Sequence, residues 1–301
     1  MHLTGLHFLL TYQCTFECDH CFVWGSPWQS GVFTLEGIER ALDQAEELGT
    51  IQSIYFEGGE PFLYYPVLVE AVRSAARRGF SVGIVTNGYW AVTVQDALAW
   101  LRPLAEWISD LTVSSDLFHY SERISQQAKN ATVAAEELGI STGLITIERE
   151  ILSEDENPVG QLPTGDSSVM YRGRAAERLA PQATQQDWTS FRECPYEDLV
   201  DPGRLHLDPF GNLHICQGIV IGNLFQEPLQ VILDAYQPRQ HPIVGPLLSG
   251  GPAELVNRYQ VEHQDQYADA CHLCYEVRRA LRARFTDFLG PDQVYGVFES
   301  P

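Results

Sequence analysis

The sequence predicts an α/β protein with a parallel sheet, followed by a smaller carboxyl-terminal extension built from a hairpin and a helix. Three observations carry that expectation. Short apolar strands alternate with longer amphipathic segments through the first half, the character changes after about Pro181, and a hairpin with turn residues between alternating strands follows. A chain of 301 residues with 45% apolar and 20% charged content is long enough to bury a large core and has the composition of a folded protein.

Residues 6–10 (LHFLL) read as the first strand. Thr34 caps a helix whose apolar positions Leu35, Ile38, Leu42, Ala45 and Leu48 step by three or four residues. The alternation continues as a strand at 51–56, a helix at 65–78, a strand at 80–85 and a helix at 94–104. Gly49 and Gly79 stand where helices end in the left-handed conformation. A strand at 111–114, a helix with the apolar face Ile124, Ala128, Ala131, Ala135 and Leu138, and a strand at 140–147 complete the series. Residues 149–168 lose periodicity and read as a surface loop before a last strand at 169–172. Serial units of this kind make a parallel sheet with right-handed crossovers, either doubly wound or curled into a barrel. Residues 205–216 (LHLD-PFGN-LHIC) then form the hairpin, and a polar linker leads to a helix from about 271 to 288.

Nineteen basic against forty acidic residues give a formal charge of −21, which repels phosphate backbones and anionic lipid. Nucleic acid is therefore not an expected partner, and acidity by itself assigns no function, because solvated surfaces are commonly acidic. No apolar run approaches the ~20 residues of a membrane span, and the amino terminus lacks the basic start of a signal peptide, so a cytoplasmic protein is expected. Seven cysteines in such a chain, an odd number, argue for metal or redox chemistry over a disulfide framework.

Cys14, Cys18 and Cys21 place three thiols within eight residues, directly after the first strand and so at the carboxyl end of the sheet. Three protein ligands leave one iron of a four-iron cluster open, as catalytic metal sites keep a position free. The competing structural explanation is a zinc site completed by His20 or a distant residue. Zinc sites usually pair C-x-x-C units, which favours iron here.

The C-x-x-x-C-x-x-C loop resembles the defining motif of the radical S-adenosylmethionine superfamily, with His20 where that family more often has Tyr or Phe. A second element, Glu57-Gly58-Gly59-Glu60-Pro61, stands one strand later. Paired glycines let backbone approach a ligand, and a carboxylate can accept from an ammonium. Alone it is only a turn; after the three-cysteine loop it resembles the family's methionine-binding motif, carried by Gly58, Gly59 and Glu60. The resemblance implies a partial (β/α)6 TIM-like barrel over residues 1–178, a [4Fe–4S] cluster on Cys14, Cys18 and Cys21, and S-adenosyl-L-methionine as cofactor. It also implies ribose or carboxylate contacts from Asn87, Ser114 and Asp116, each of which ordinary turn chemistry explains equally. An electron donor such as flavodoxin or ferredoxin is implied as partner. The segment Tyr171-Arg172-Gly173-Arg174 looks familiar from relatives in which an arginine touches cofactor or substrate, although an exposed arginine pair is more often only solvated.

Cys194, Cys216, Cys271 and Cys274 remain, one before the hairpin, one at its end and a C-x-x-C pair opening the last helix. Four thiolates complete a cluster with no open position. The arrangement resembles the auxiliary-cluster extension called the twitch domain, also the first half of the longer SPASM domain, over residues 179–301. A second [4Fe–4S] cluster is implied, and a four-cysteine zinc site is the alternative.

A hydrogen-abstracting radical requires a site that excludes water. Phe22, Trp24, Tyr55, Tyr89, Trp90, Phe118 and Tyr120 lie near strand ends and are candidates to line it, or plain core. A nearby auxiliary cluster would accept the electron left after hydrogen abstraction and deprotonation, and Arg172, His119 and Glu57 are candidates to assist the proton. The expected function is radical oxidation or rearrangement of a small metabolite, because relatives that modify peptides often carry a module before the barrel and here the first strand begins by Leu6. Modification of a ribosomally made peptide is the alternative. A metal-stabilised electron-transfer or binding protein without radical chemistry is the third reading.

Overall fold

The structure is a computed structural model that describes residues 1–148 and 165–297. Along the first half strands and helices alternate as their periodicities require: β1 (Gly5–Thr11), α1 (Leu35–Leu48), β2 (Ser53–Gly58), α2 (Tyr65–Arg77), β3 (Ser81–Thr86), α3 (Val94–Leu101), β4 (Asp110–Ser114), α4 (Gln126–Glu137), β5 (Ser141–Glu148) and β6 (Gly165–Ser168). Thr34 caps α1 by accepting from the Gly37 amide, and Gly49 ends it at φ 72°, so both boundary signals operate as expected. Ile38, Ala41, Leu42 and Ala45 form its buried face.

Strands β1 to β6 pair in parallel in chain order. The order never reverses, and a reversal is what defines a doubly wound sheet, so that alternative is set aside. Parallel register aligns His7 with Tyr55 and Leu9 with Glu57. Period-2 alternation puts these four on one face, opposite Phe8, whose ring packs on Phe33 and Phe56. That polar-bearing face becomes the wall of the site described below.

The second half contains α5 (Arg174–Arg178), β7 (Gln186–Asp187), β8 (Arg204–Leu207), β9 (Asn212–Cys216), β10 (Ile219–Asn223), α6 (Leu229–Ala235), α7 (Val244–Tyr259), β11 (Gln266–Tyr267) and α8 (Ala270–Leu281). Strands β8 and β9 are the expected antiparallel hairpin. Strand β8 also pairs in parallel with β1, from Gly5↔Arg204 to Phe8↔Leu207, so the hairpin continues the main sheet. Buried Asp208 fastens it there, accepting from the Tyr12 hydroxyl at 3.2 Å and facing His214 Nε2 at 3.1 Å. One hydrophobic core runs from Leu6 and Phe56 to Leu213, Leu273 and Tyr295.

Four expectations need correction. The last parallel strand is Gly165–Ser168 and not 169–172, because residues 165–168 extend beside β5 from Ile145↔Gly165 onward. The rest of the expected loop, 149–164, lies outside the described residues. The polar linker holds two strands, β10 and β11, and two helices, α6 and α7; α7 departs from helical geometry at Gly250 and Gly251, just before Pro252, and that break hides its periodicity. Helix α3 stops at Leu101 before Pro103, and α8 stops at Leu281 instead of 288. Among the described residues no helix is long and apolar enough to cross a membrane.

Candidate active site

The carboxyl ends of the parallel strands surround a cavity of about 220 Å³. Cys14, Cys18 and Cys21 line it, on the loop that leaves β1. Backbone bonds shape this loop: the Cys14 amide donates to Ser26 O at 3.0 Å and the Cys21 amide to Cys18 O at 3.1 Å. Arg174, buried and not solvated, clamps it from outside, donating to Cys18 O at 2.7 Å and Gly25 O at 2.8 Å. The Gly25 amide approaches Cys21 Sγ at 3.2 Å, and Asn87 Nδ2 approaches Cys14 Sγ at 3.5 Å. N–H donors aimed at sulfur are what cluster thiolates accept. Burial pushes the Cys14 thiol up to about 12, and burial with Cys21 and Cys14 nearby pushes Cys18 well above its ordinary value. Metal binding at these thiols therefore releases their protons.

The glycine turn after β2 packs directly on this loop. The Gly59 amide donates to Thr11 O at 2.7 Å and the Glu60 amide to Gln13 O at 2.8 Å, while Gly58 sits at φ 128°. Gly58 and Gly59 line the cavity. The Glu60 carboxylate faces away into the protein: Oε1 accepts from the Phe62 amide and Thr86 Oγ1, Oε2 from the Asn87 amide and Thr86 Oγ1, all within 3.0 Å. Burial pushes this carboxyl up to about 7 despite those donors. Glu60→Gln would turn an amide N–H toward a backbone N–H, so a loss of about 1–3 kcal/mol is expected in denaturant titration, and an unchanged midpoint would contradict this geometry.

Of the other expected contacts, Asn87 and Ser114 line the cavity. Asp116 is 1% exposed and accepts from the Phe118 and His119 amides and, at 2.8 Å, pairs with His119 Nδ1. Burial alone would raise its carboxyl; the His119 hydrogen bond and charge hold it low. His20 lines the cavity, its ring 4.7 Å from Phe118. Of the seven aromatics expected as lining, Phe22 alone lines this cavity. Trp90 is core, stacked on Phe62 at 4.4 Å.

The cavity is also lined by buried Glu57, Arg172, His206 and Gln217 and by half-buried Glu197 and Arg204. Arg172 donates to Glu197 at 3.4 Å, while its Nε, Arg204 Nε and both amide atoms of Gln217 are buried without a partner among the described residues. Unpaired buried donors and acceptors are costly unless a ligand meets them. Sequence reasoning missed Glu197, Arg204, His206 and Gln217; of these only His206 leaves a signal, a polar residue inside an apolar strand. All three candidates to assist a proton, Arg172, His119 and Glu57, line the cavity.

Cys194, Cys216, Cys271 and Cys274 line a second, smaller cavity together with Arg172, Tyr196, Glu197 and Arg278. Residues on a loop, a strand end and the first turns of α8 thus converge. Arg172 Nη1 lies 3.4 Å from Cys216 Sγ, and fully buried Arg278 donates to Gln217 O at 2.8 Å. Burial opposes both guanidinium charges, but Cys216, Cys271 and Glu197 raise Arg172, and Tyr295 with Cys274 raises Arg278, so two cations stand beside the four sulfurs. All seven cysteines are free. Among the described residues, sets of three or more ligand atoms all within 4.8 Å of one another occur twice, and neither contains a cysteine.

Residues 8–143 match the model of the Radical SAM superfamily. The chain is 24% identical over 220 residues to the "Tungsten-containing aldehyde ferredoxin oxidoreductase cofactor-modifying protein" of Pyrococcus furiosus, covering 69% of this chain and 58% of the relative. It is 28% identical over 122 residues to the "Putative peptide biosynthesis protein YydG" of Bacillus subtilis, covering 40% of this chain and 38% of the relative. The matches thus span about half the length of these curated relatives or less. Among solved structures, "Native anSMEcpe with bound AdoMet" aligns with a TM-score of 0.49 at 11% identity, over 94% of this chain and 98% of that one.

Proposed function

We propose, with the membership of residues 8–143 in the Radical SAM superfamily as premise, that the chain is a radical oxidoreductase of a small molecule. In this reading residues 1–178 form a partial barrel that holds a [4Fe–4S] cluster on Cys14, Cys18 and Cys21, and residues 179–301 hold a second on Cys194, Cys216, Cys271 and Cys274. When bound, the first cluster and S-adenosyl-L-methionine supply a 5′-deoxyadenosyl radical, and the second cluster supplies an electron acceptor. The consecutive strand order supports the barrel.

One observation carries the proposal. The cavity lined by Cys14, Cys18 and Cys21 shares Arg172, Tyr196 and Glu197 with the cavity of the other four cysteines, so a molecule in it lies between the two thiol sets. The backbone of Gly58 and Gly59 and the side chains of Asn87 and Ser114 are in position to hold the cofactor beside the first set. Glu60 and Asp116 hold the turns from behind. Arg172, Arg204 and Gln217 offer unpaired groups to the substrate, and Glu57, His119 and Arg172 are within the cavity to assist a proton. A ferredoxin or flavodoxin is the fitting electron donor.

Modification of a peptide is the second reading, since one relative is named for peptide biosynthesis while the other is named a cofactor-modifying protein. Incubation with deuterium-labelled candidates should carry deuterium into 5′-deoxyadenosine from a small molecule. Label arriving from a peptide and from no small molecule would reverse the assignment.

A further inference from the structure

The sheet face beside the substrate cavity holds a cluster of which the proposed radical chemistry uses Glu57 alone, as a group placed to assist a proton. His7 on β1, Glu57 at the end of β2 and His206 on β8 stand on three adjacent strands. His7 and His206 are direct register partners, and Glu57 lies opposite Leu9, on the same face of the sheet as His7. His7 Nδ1 is 3.3 Å from Glu57 Oε2, and His206 Nε2 is 3.1 Å from Glu57 Oε1. Ligand atoms of all three lie within 4.8 Å of one another. Two hydrogen bonds to separate carboxylate oxygens do not require the two ring nitrogens to converge as well. Here they do: the rings meet edge to face with centroids 5.2 Å apart. The group is deeply buried, at 4%, 7% and 7% exposure.

We propose that His7, Glu57 and His206 form a binding site for a divalent first-row transition-metal ion. Two imidazoles and one carboxylate on one side of an ion form a facial triad, which suits such metals and leaves positions open. Glu57 and His206 line the main cavity, so the open positions face the substrate space, where an ion would polarise a substrate oxygen. Three rigid strands fix the donors before the ion arrives, and the ring of Tyr55, stacked on His7 at 4.9 Å, holds one imidazole in place. The site is distinct from both thiol sets: it contains no sulfur, and its oxygen and nitrogen donors suit ions that thiolates do not select.

The test uses the cluster-loaded chain under anaerobic conditions and Mn(II) as probe, because oxidised four-iron clusters leave the Mn(II) paramagnetic signal readable. One Mn(II) per chain is expected at millimolar metal. Glu57→Gln and His206→Asn are each expected to weaken binding at least about tenfold while iron content and the unfolding midpoint stay near the parent values. If either variant misfolds, the triple Cys14, Cys18 and Cys21 to alanine chain serves as a second reading. Retention of Mn(II) there supports the triad and is independent of radical activity. The proposal is overturned if the parent retains no Mn(II), if both folded variants bind it undiminished, or if the triple cysteine variant loses it.

Discussion

Replacing Cys14, Cys18 and Cys21 together by alanine is expected to abolish cleavage of S-adenosylmethionine and to remove roughly half of the iron, leaving the roughly four irons of one cluster on the remaining cysteines. The first three thiols line the main cavity, the other four line the second, and Arg172, Tyr196 and Glu197 stand between them. The Arg174 clamp takes its acceptors from backbone, Cys18 O and Gly25 O, so losing the sulfurs leaves the loop's attachment to the fold in place. Iron counting and chromatography of the nucleoside product measure both effects. Cleavage that survives the triple change would refute the ligand assignment, and loss of all iron would refute the independence of the two sites.

The second large effect is expected from Gly59→Ala. A Cβ there would stand 2.0 Å from Gln13 O, 2.6 Å from Gln13 C and 2.8 Å from Tyr12 O, and all three are backbone atoms of the cysteine loop. No side chain can rotate away to make room, so the loop itself must shift. A destabilisation of about 3 kcal/mol is expected for such overpacking, together with loss of iron from the first site. Gly79→Ala makes the control for a glycine's conformational freedom alone, because an added Cβ at φ 88° meets nothing within 4 Å. Equal iron contents and equal stabilities in the two variants would contradict the close approach of turn and loop.

These predictions involve features of unequal legibility. Local periodicity and caps located most of the elements, since the α1 face, the Thr34 cap and the hairpin each follow from neighbours in sequence. The pairing of Gly5 with Arg204 leaves no such trace, because parallel partners on distant segments share no turn. Glu60 illustrates a subtler limit. Its residue type and place suit a ligand for an ammonium, but only the structure reveals that Thr86 and the Phe62 and Asn87 amides already fill both oxygens. Arg172 and Arg174 pass for a solvated pair in sequence, whereas both are buried, one beside Cys216 and one on the cysteine loop. The triad had a visible signal, a histidine after leucine in each of the strands LHFLL and LHLD, and its meaning depended on the register that brings the two together.

The most direct measurement of the central claim is anaerobic reconstitution of the unmodified chain, followed by reduction with dithionite in the presence of S-adenosylmethionine. The account predicts about eight irons per chain, from two four-iron clusters, and release of 5′-deoxyadenosine. A chain that takes up zinc alone and leaves the cofactor intact would contradict it.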